Sequence, residues 1–180
     1  MTEPLNNISA GGNGHKKNTS TNLDVTRVLK DGAISMETNY KARTGLISTA
    51  NKLLGIKYEF GAEWANYAEL PETLDCSEMI EGIFKINKLD IPDGSQNQYN
   101  FTISTNAPII GDLAFFGRGK DNSKVYHVGM VYDDKYIIEA RAYQPEASFP
   151  TGKVILRDRS AWENYKNFLG YRTHPKLLLA

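Results

Sequence analysis

The pattern of apolar and polar positions divides the chain into a polar start, a helical middle and a strand-rich second half. Residues 1–22 are rich in Asn, Gly, Ser and Thr and contain few large apolar side chains. Such a segment buries too little surface to offset the entropy that ordering costs, so we expect a flexible arm unless a partner orders it. Residues 23–43 have a mixed pattern that predicts a short strand or a helical turn.

Two segments of the middle region carry apolar residues at helical spacing. The first begins at Thr44 and ends before Gly55, a residue type that often follows a helix C-terminus. Residues 56–73 have no such spacing and are predicted to be a loop with aromatic anchors. The second helical segment is 76–87, and its apolar residues on one side are Met79, Ile80, Ile83, Phe84 and Ile86.

The second half of the chain predicts a run of strands. A polar connection, residues 88–108, precedes strand-like segments at 111–117, 126–134, 135–142 and 152–158. A helix is expected at 160–168 and a last strand at 169–172. Helices that come first and antiparallel strands that follow are typical of an α+β fold, in which helices pack on one face of a sheet.

Composition and charge limit the classes of function. The chain has 180 residues, enough for one domain, and its 21 basic residues balance its 21 acidic ones. A net charge of zero argues against binding nucleic acid or anionic membranes, both of which favour a basic surface. No apolar run has the length of a membrane span, and the first residues lack the apolar core of a secretory signal.

Cys76 is the only cysteine, so no internal disulfide can form. It stands between Asp75 and Ser77 at the start of the second predicted helix. The positive end of a helix dipole favours an anion, and the thiolate is the nucleophilic form of cysteine. Cysteine is also among the most buried residue types, so a structural thiol is the alternative interpretation of Cys76 alone.

His127 and Glu139 lie on two neighbouring predicted strands. A two-residue hairpin loop at Asp133 and Asp134 would place Glu139 on the face opposite to His127, because side chains alternate along a strand. A three-residue loop from Tyr132 to Asp134 would place the two residues directly opposite each other. If they pair, the carboxylate can orient the imidazole and stabilise its charged form.

The sequence predicts neither a cofactor nor a metal. One cysteine and three scattered histidines do not have the spacing of a zinc site. No glycine-rich phosphate-binding loop is present in the sequence.

The motifs around these residues resemble, in order and spacing, the NlpC-type cell-wall cysteine peptidases, a papain-like family. The matching segments are Gly55–Ala62 with its Tyr58, the nucleophile motif Asp75–Glu78, the strand Gly111–Phe116, the His-Val-Gly strand 127–131, and Gly170–Arg172. The similarity extends from about Thr44 to Arg172. It implies a papain-like α+β fold with the nucleophile helix packed on an antiparallel sheet, and a peptidase domain over 44–175 that follows an extension at 23–43.

The resemblance also implies roles for single residues. Cys76 would be the nucleophile and His127 the general base, and Glu139 would occupy the third catalytic position. Many members have a histidine there, whereas the related CHAP-type amidases use a glutamate. The resemblance further implies that Tyr58, Asp75 and Ser77 bind substrate. The chain departs from the family motif at Glu78, where glycine is usual, and a bulky acid there is expected to narrow the cleft.

The resemblance implies a peptidoglycan endopeptidase that cuts stem peptides, most often between D-glutamate and the diamino acid, through a thioester. Its partner would be the bacterial cell wall. Without a secretory signal, delivery by a phage tail or as an injected lysin is expected, with the arm contacting other subunits of the assembly. The alternatives are a structural or binding module on the same scaffold, and an amidase or acyltransferase.

Overall fold

The computed structural model of the protein describes residues 20–118, 124–143 and 151–178. Most of the predicted arm, residues 1–19, lies outside these ranges. The last residues of the arm belong to the first helix, α1, which spans Ser20–Lys52.

Helix α1 is one continuous element of 33 residues, so the prediction of a short strand or turn at 23–43 was wrong. The segment contains no proline to interrupt a helix. Arg43, which is buried, fastens its second half to the rest of the protein. The guanidinium donates to Asp112 Oδ1 and to the backbone carbonyl of Leu177, each at 2.8 Å.

The second predicted helix is confirmed as α2, Cys76–Ile86. Its start is set by Asp75, whose side chain accepts a hydrogen bond from the backbone N–H of Glu78. The predicted apolar stripe faces the core except for Ile86, which is 39% exposed. With α1 it forms the helical layer of the protein, and the core between α2 and the sheet contains Met79, Ile80, Ile83, Phe84, Phe115, Val128, Met130 and Ile138.

Eight strands form one sheet in the order β2-β1-β7-β6-β5-β4-β8-β3. In chain order they are Lys57–Tyr58, Thr73–Leu74, Ile103–Thr105, Leu113–Arg118, Lys124–Val131, Tyr136–Ala142, Gly152–Asp158 and Phe168–Thr173. Neighbouring strands are antiparallel except β1 and β2, which pair in parallel. The five predicted strands are all present, whereas β1, β2 and β3 fall in segments that were predicted to be loops.

Two short helices differ from the prediction. Helix α3, Ser95–Phe101, lies within the predicted polar connection and follows Gly94 at a positive φ of 79°. Helix α4, Arg159–Glu163, is shorter than the predicted 160–168, because the chain turns at residues 164–167 before β8 begins. A single 3-10 turn, Pro175–Leu177, follows β8. None of the helices in the described parts of the chain is both long and apolar enough to cross a membrane.

Candidate active site

Cys76 is the first residue of α2 and is 8% exposed. The turn before it is held by Asp75, whose Oδ1 accepts from the Glu78 N–H at 2.8 Å and from the Ser77 hydroxyl at 3.0 Å. The second oxygen of Asp75 accepts from the N–H of Gly61 at 3.3 Å. The cap therefore fixes the place of the thiol at the positive end of the helix dipole.

His127 on β5 lies between Cys76 and Glu139. Its Nε2 is 2.6 Å from Glu139 Oε2, and Cys76 is close enough for its charge to act on the ring. Glu139 is fully buried. The structure thus brings together the three residues to which the sequence assigned a catalytic role.

Both predicted loops between β5 and β6 were wrong, because the register pairs Met130 with Ile138 and leaves Asp133–Lys135 as the loop. The carboxylate of Asp133 accepts from the N–H of Lys135 and of Tyr136 and so shifts the turn by one residue. The register places Glu139 opposite Gly129. Gly129 is two residues after His127 on β5, so Glu139 and His127 are diagonal neighbours on the same face of the sheet.

The surroundings of His127 favour its charged form. Burial alone would lower the pKa of this imidazole, but the nearby Cys76 with its charge, the hydrogen bond to Glu139 and the charge of Glu139 together raise it to about 10. Burial works to raise the pKa of Glu139, yet its hydrogen bond to His127 and the positive charges nearby lower it. At neutral pH the pair is therefore an imidazolium and a carboxylate.

An aromatic stack supports the imidazole from one side. The Trp162 ring lies 5.4 Å from the His127 ring and 4.2 Å from the Phe116 ring, with interplanar angles of 25° and 16°. Trp162 is fully buried. From the sequence, this tryptophan was placed only in a helix. Gly129, two residues after His127, could have indicated a large ring nearby, because glycine leaves room for one beside the imidazole.

Replacing Gly129 with alanine is expected to lower the free energy of unfolding by about 1–3 kcal/mol. The added Cβ would lie 2.6 Å from Ile137 Cγ2 and 2.9 Å from Trp162 Cζ2, so the ring that supports His127 must move. Urea unfolding curves measure this change. The control is Gly32→Ala in α1, where a Cβ meets nothing within 4 Å and helix propensity favours alanine. Equal stability of the Gly129→Ala variant and the wild type would contradict the packing argument.

Tyr58 on β1 lies on the thiol side of the site. Burial, followed by the charges of Cys76 and Asp75, raises the pKa of this phenol to about 12, so it keeps its proton at neutral pH. Tyr58 can therefore donate a hydrogen bond. The binding roles of Tyr58, Asp75 and Ser77 stay predictions, and the hydroxyl of Ser77 is engaged with Asp75 in the helix cap.

Glu78 does not project into a cleft as expected. Its Oε1 accepts from the backbone N–H of Trp64 at 2.8 Å, and the Trp64 ring lies against Gly82 one turn further along α2. Burial, chiefly, raises the pKa of this carboxyl. The carboxylates of Glu81 and Asp93 lie close by, with oxygens within 4.8 Å of those of Glu78, so Glu78 faces other acidic groups and not the thiol. Glu78 thus anchors the loop before β2 to the helix that carries Cys76.

A helix that presents a cysteine to a histidine and an acid on adjoining strands of an antiparallel sheet defines a papain-like α+β protein. The model of the NlpC/P60 family matches residues 55–155. The chain belongs to the NlpC/P60 family. Members of this family are generally cysteine peptidases and peptidoglycan hydrolases.

Solved structures share this fold. The P60 domain of an antigen from M. avium subspecies paratuberculosis is 21% identical with a TM-score of 0.58, and the match covers 76% of this chain and 96% of that one. The peptidoglycan hydrolase RipB of Mycobacterium tuberculosis is 20% identical with a TM-score of 0.57, over 77% of this chain and 66% of that one.

A NlpC/P60 family protein from Bacillus cereus is 24% identical with a TM-score of 0.55, and the match covers 73% of this chain. The chain spans only 40% of that protein's length, and 41% of a lipoprotein-like family member from Staphylococcus aureus. A search of the curated proteins returns no match. At these identities the solved structures establish the fold.

Proposed function

We propose that the protein is a peptidoglycan hydrolase, a cysteine endopeptidase that cuts stem peptides of the bacterial cell wall. The observation that carries this proposal is the chain of contacts from Cys76 through His127 to the buried Glu139. Membership of the NlpC/P60 family and the fold shared with the hydrolase RipB support it. A structural module has no need of a buried carboxylate aimed at an imidazole, which costs stability unless it is paired.

The proposed reaction begins with a Cys76 thiolate and a His127 imidazolium. The sulfur attacks the peptide carbonyl carbon, and the backbone N–H of Cys76 at the helix start stabilises the oxyanion. His127 gives its proton to the leaving amine, the C–N bond breaks, and a thioester remains. A water then loses a proton to His127 and attacks the thioester, which releases the carboxylic acid and restores the thiolate and the imidazolium.

Within this proposal the substrate side of the site consists of Tyr58, Asp75 and Ser77, and the bond cut joins D-glutamate to the diamino acid. The peptidase domain is residues 44–175, which contain the whole span of the family match. Delivery to the wall by a phage tail, with residues 1–22 as the docking arm, also remains a proposal. Finding the protein only in the cytoplasmic fraction, and in neither particles nor culture fluid, would argue against it.

Digestion of purified peptidoglycan, followed by mass spectrometry of the soluble fragments, tests the proposed function. The wild type is expected to release fragments with a new D-glutamate carboxyl end and a new amine on the diamino acid. Cys76→Ala should release none, because only the nucleophile is lost. Equal release by both proteins, or release by neither from walls of several stem types, would overturn the proposal.

A further inference from the structure

The second oxygen of Glu139 has a partner of its own. Oε2 faces His127, whereas Oε1 lies 3.5 Å from Nη1 of Arg157. Glu139 is fully buried and the Arg157 side chain is 16% exposed. The contact is an ion pair without a hydrogen bond, since Oε1 has no hydrogen-bond partner in the part of the chain that the structure describes. A buried carboxylate needs its charge balanced, and the plane that places one oxygen towards His127 also places the other towards Arg157.

Arg157 reaches Glu139 from the neighbouring strand. On β7 it pairs with Ile137 of β6, whereas Glu139 pairs with Ile155, so Arg157 and Glu139 are diagonal neighbours on one face. The guanidinium also lies over the Tyr165 ring, 5.1 Å from its centroid. Tyr165 in turn contacts Phe116 of the stack beside His127, with the two ring centroids 5.5 Å apart. Arg157 is therefore held from two directions.

We propose that Arg157 is a positioning residue of the hydrolytic site: its guanidinium balances the charge of Glu139 and holds the carboxylate so that Oε2 faces His127. This inference rests on the proposed function for its effect on the reaction, and on geometry alone for its effect on Glu139. Arg157 acts through Glu139 and His127 and has no contact with the thiol or the substrate. It extends the chain of contacts from Cys76 by one member.

The other charged groups around Glu139 do not replace Arg157. His127 of β5 is already hydrogen-bonded to Oε2, and Cys76 of α2 lies on the other side of the imidazole. Arg141, on the same strand as Glu139, acts on this carboxylate less strongly than Arg157 does. Among the residues that the structure describes, Arg157 is the basic side chain that forms an ion pair with Oε1.

Replacing Arg157 with glutamine tests the inference through the pH dependence of peptide cleavage. Losing a nearby opposite charge raises the pKa of a carboxyl by about one unit or more, so the acidic limb of the kcat/KM profile should move to higher pH by a similar amount. On the acidic limb, at pH values below the Glu139 pKa of both proteins, kcat/KM should fall about tenfold and KM should stay within about twofold of the wild type, since one unit of pKa corresponds to tenfold. At pH 7 the two proteins should differ little. Arg157→Lys, which keeps the charge, should restore most of the acidic limb.

The matched control is Arg159→Gln. Arg159 lies one residue after β7 and also forms an ion pair and a cation–π contact, but with Glu163 and Tyr171. This variant should leave the acidic limb in place. The inference is overturned if the pH profile of kcat/KM for Arg157→Gln coincides with the profile for Arg159→Gln. It is also overturned if Arg157→Lys and Arg157→Gln lose equal activity on the acidic limb.

A measurement without substrate separates this inference from the proposed function. In protein labelled with ¹³C at the glutamate carboxyls, the Glu139 resonance is assigned from its absence in Glu139→Gln. Its titration midpoint should be higher in Arg157→Gln than in the wild type. If the midpoints agree, the inference fails whatever the activity. If the midpoint moves but the wild type digests no wall, the proposed function fails and the coupling of Arg157 to Glu139 stands.

Discussion

Replacing His127 with glutamine is expected to lower kcat/KM for stem-peptide cleavage by about 10²–10⁴-fold, the range that a general acid–base group contributes. Glutamine is similar in size and can still donate to Glu139, but it cannot carry the proton between Cys76 and the leaving amine. The loss should appear in kcat, because His127 is not among the residues predicted to bind substrate. Steady-state kinetics on a defined muropeptide measure it.

The same variant should change how stability depends on pH. The pKa of His127 is raised from 6.5 to about 10 in the folded protein, so its contribution to stability is fully present below pH 6.5 and is lost as the pH rises through 10. The wild type should therefore lose stability between these values, and His127→Gln should lose less. Urea unfolding at pH 6.5, 8 and 9.5 gives the slope of unfolding free energy against pH for the wild type and for His127→Gln.

His174 supplies the control for this measurement. It is also buried, between the rings of Phe84 and Phe101, but burial lowers its pKa. It is therefore neutral from pH 6.5 upwards, and His174→Gln should retain the wild-type slope even if its overall stability is lower. Parallel slopes for the wild type and His127→Gln would show that His127 does not carry the charge that its surroundings favour.

The parts of the fold that were predictable have strong local patterns. The apolar stripe of α2 and the apolar runs of β4 to β8 are visible within a few residues of sequence. The first half of α1 was missed because residues 30 and 35–38 are exposed, so no apolar periodicity marks them. Strands β1 and β2 are two residues each, too short for an alternation to show.

The site divides in the same way. Cys76, His127 and Glu139 stand in motifs of residues adjacent in sequence, so they were visible before the fold was known. Arg157 and Trp162 approach Glu139 and His127 only because β7 pairs with β6 and α4 packs on the sheet. No local pattern marks either residue. The hairpin loop was misplaced because Asp133 and Asp134 are equally good turn formers. Only the hydrogen bonds that the Asp133 carboxylate accepts from the N–H groups of Lys135 and Tyr136 decide between them.

Replacing Glu139 with alanine is expected to lower the free energy of unfolding at pH 7 by about 3–5 kcal/mol, the cost of removing one partner from a buried ion pair. Both His127 and Arg157 would lose their counter-charge. Glu139→Gln should cost less, about 1–3 kcal/mol, because its amide oxygen can still accept from the imidazole. The control is Glu163→Ala, which removes a 43% exposed carboxylate from its ion pair with Arg159 and from a hydrogen bond with the Tyr171 hydroxyl. It should cost less than Glu139→Ala, about 1–2 kcal/mol.

The pH dependence distinguishes a lost ion pair from a cavity. The pKa of Glu139 lies below its ordinary value of 4.5, so the stability that it contributes is present above pH 4.5 and is lost as the pH falls through the folded-state pKa. The difference in unfolding free energy between the wild type and Glu139→Ala should therefore shrink on acidification from pH 7 to 3, measured by urea unfolding. A cavity costs the same at every pH, so a constant difference would mean that Glu139 contributes volume and not charge, and its place as the orienting acid of His127 would have to be given up.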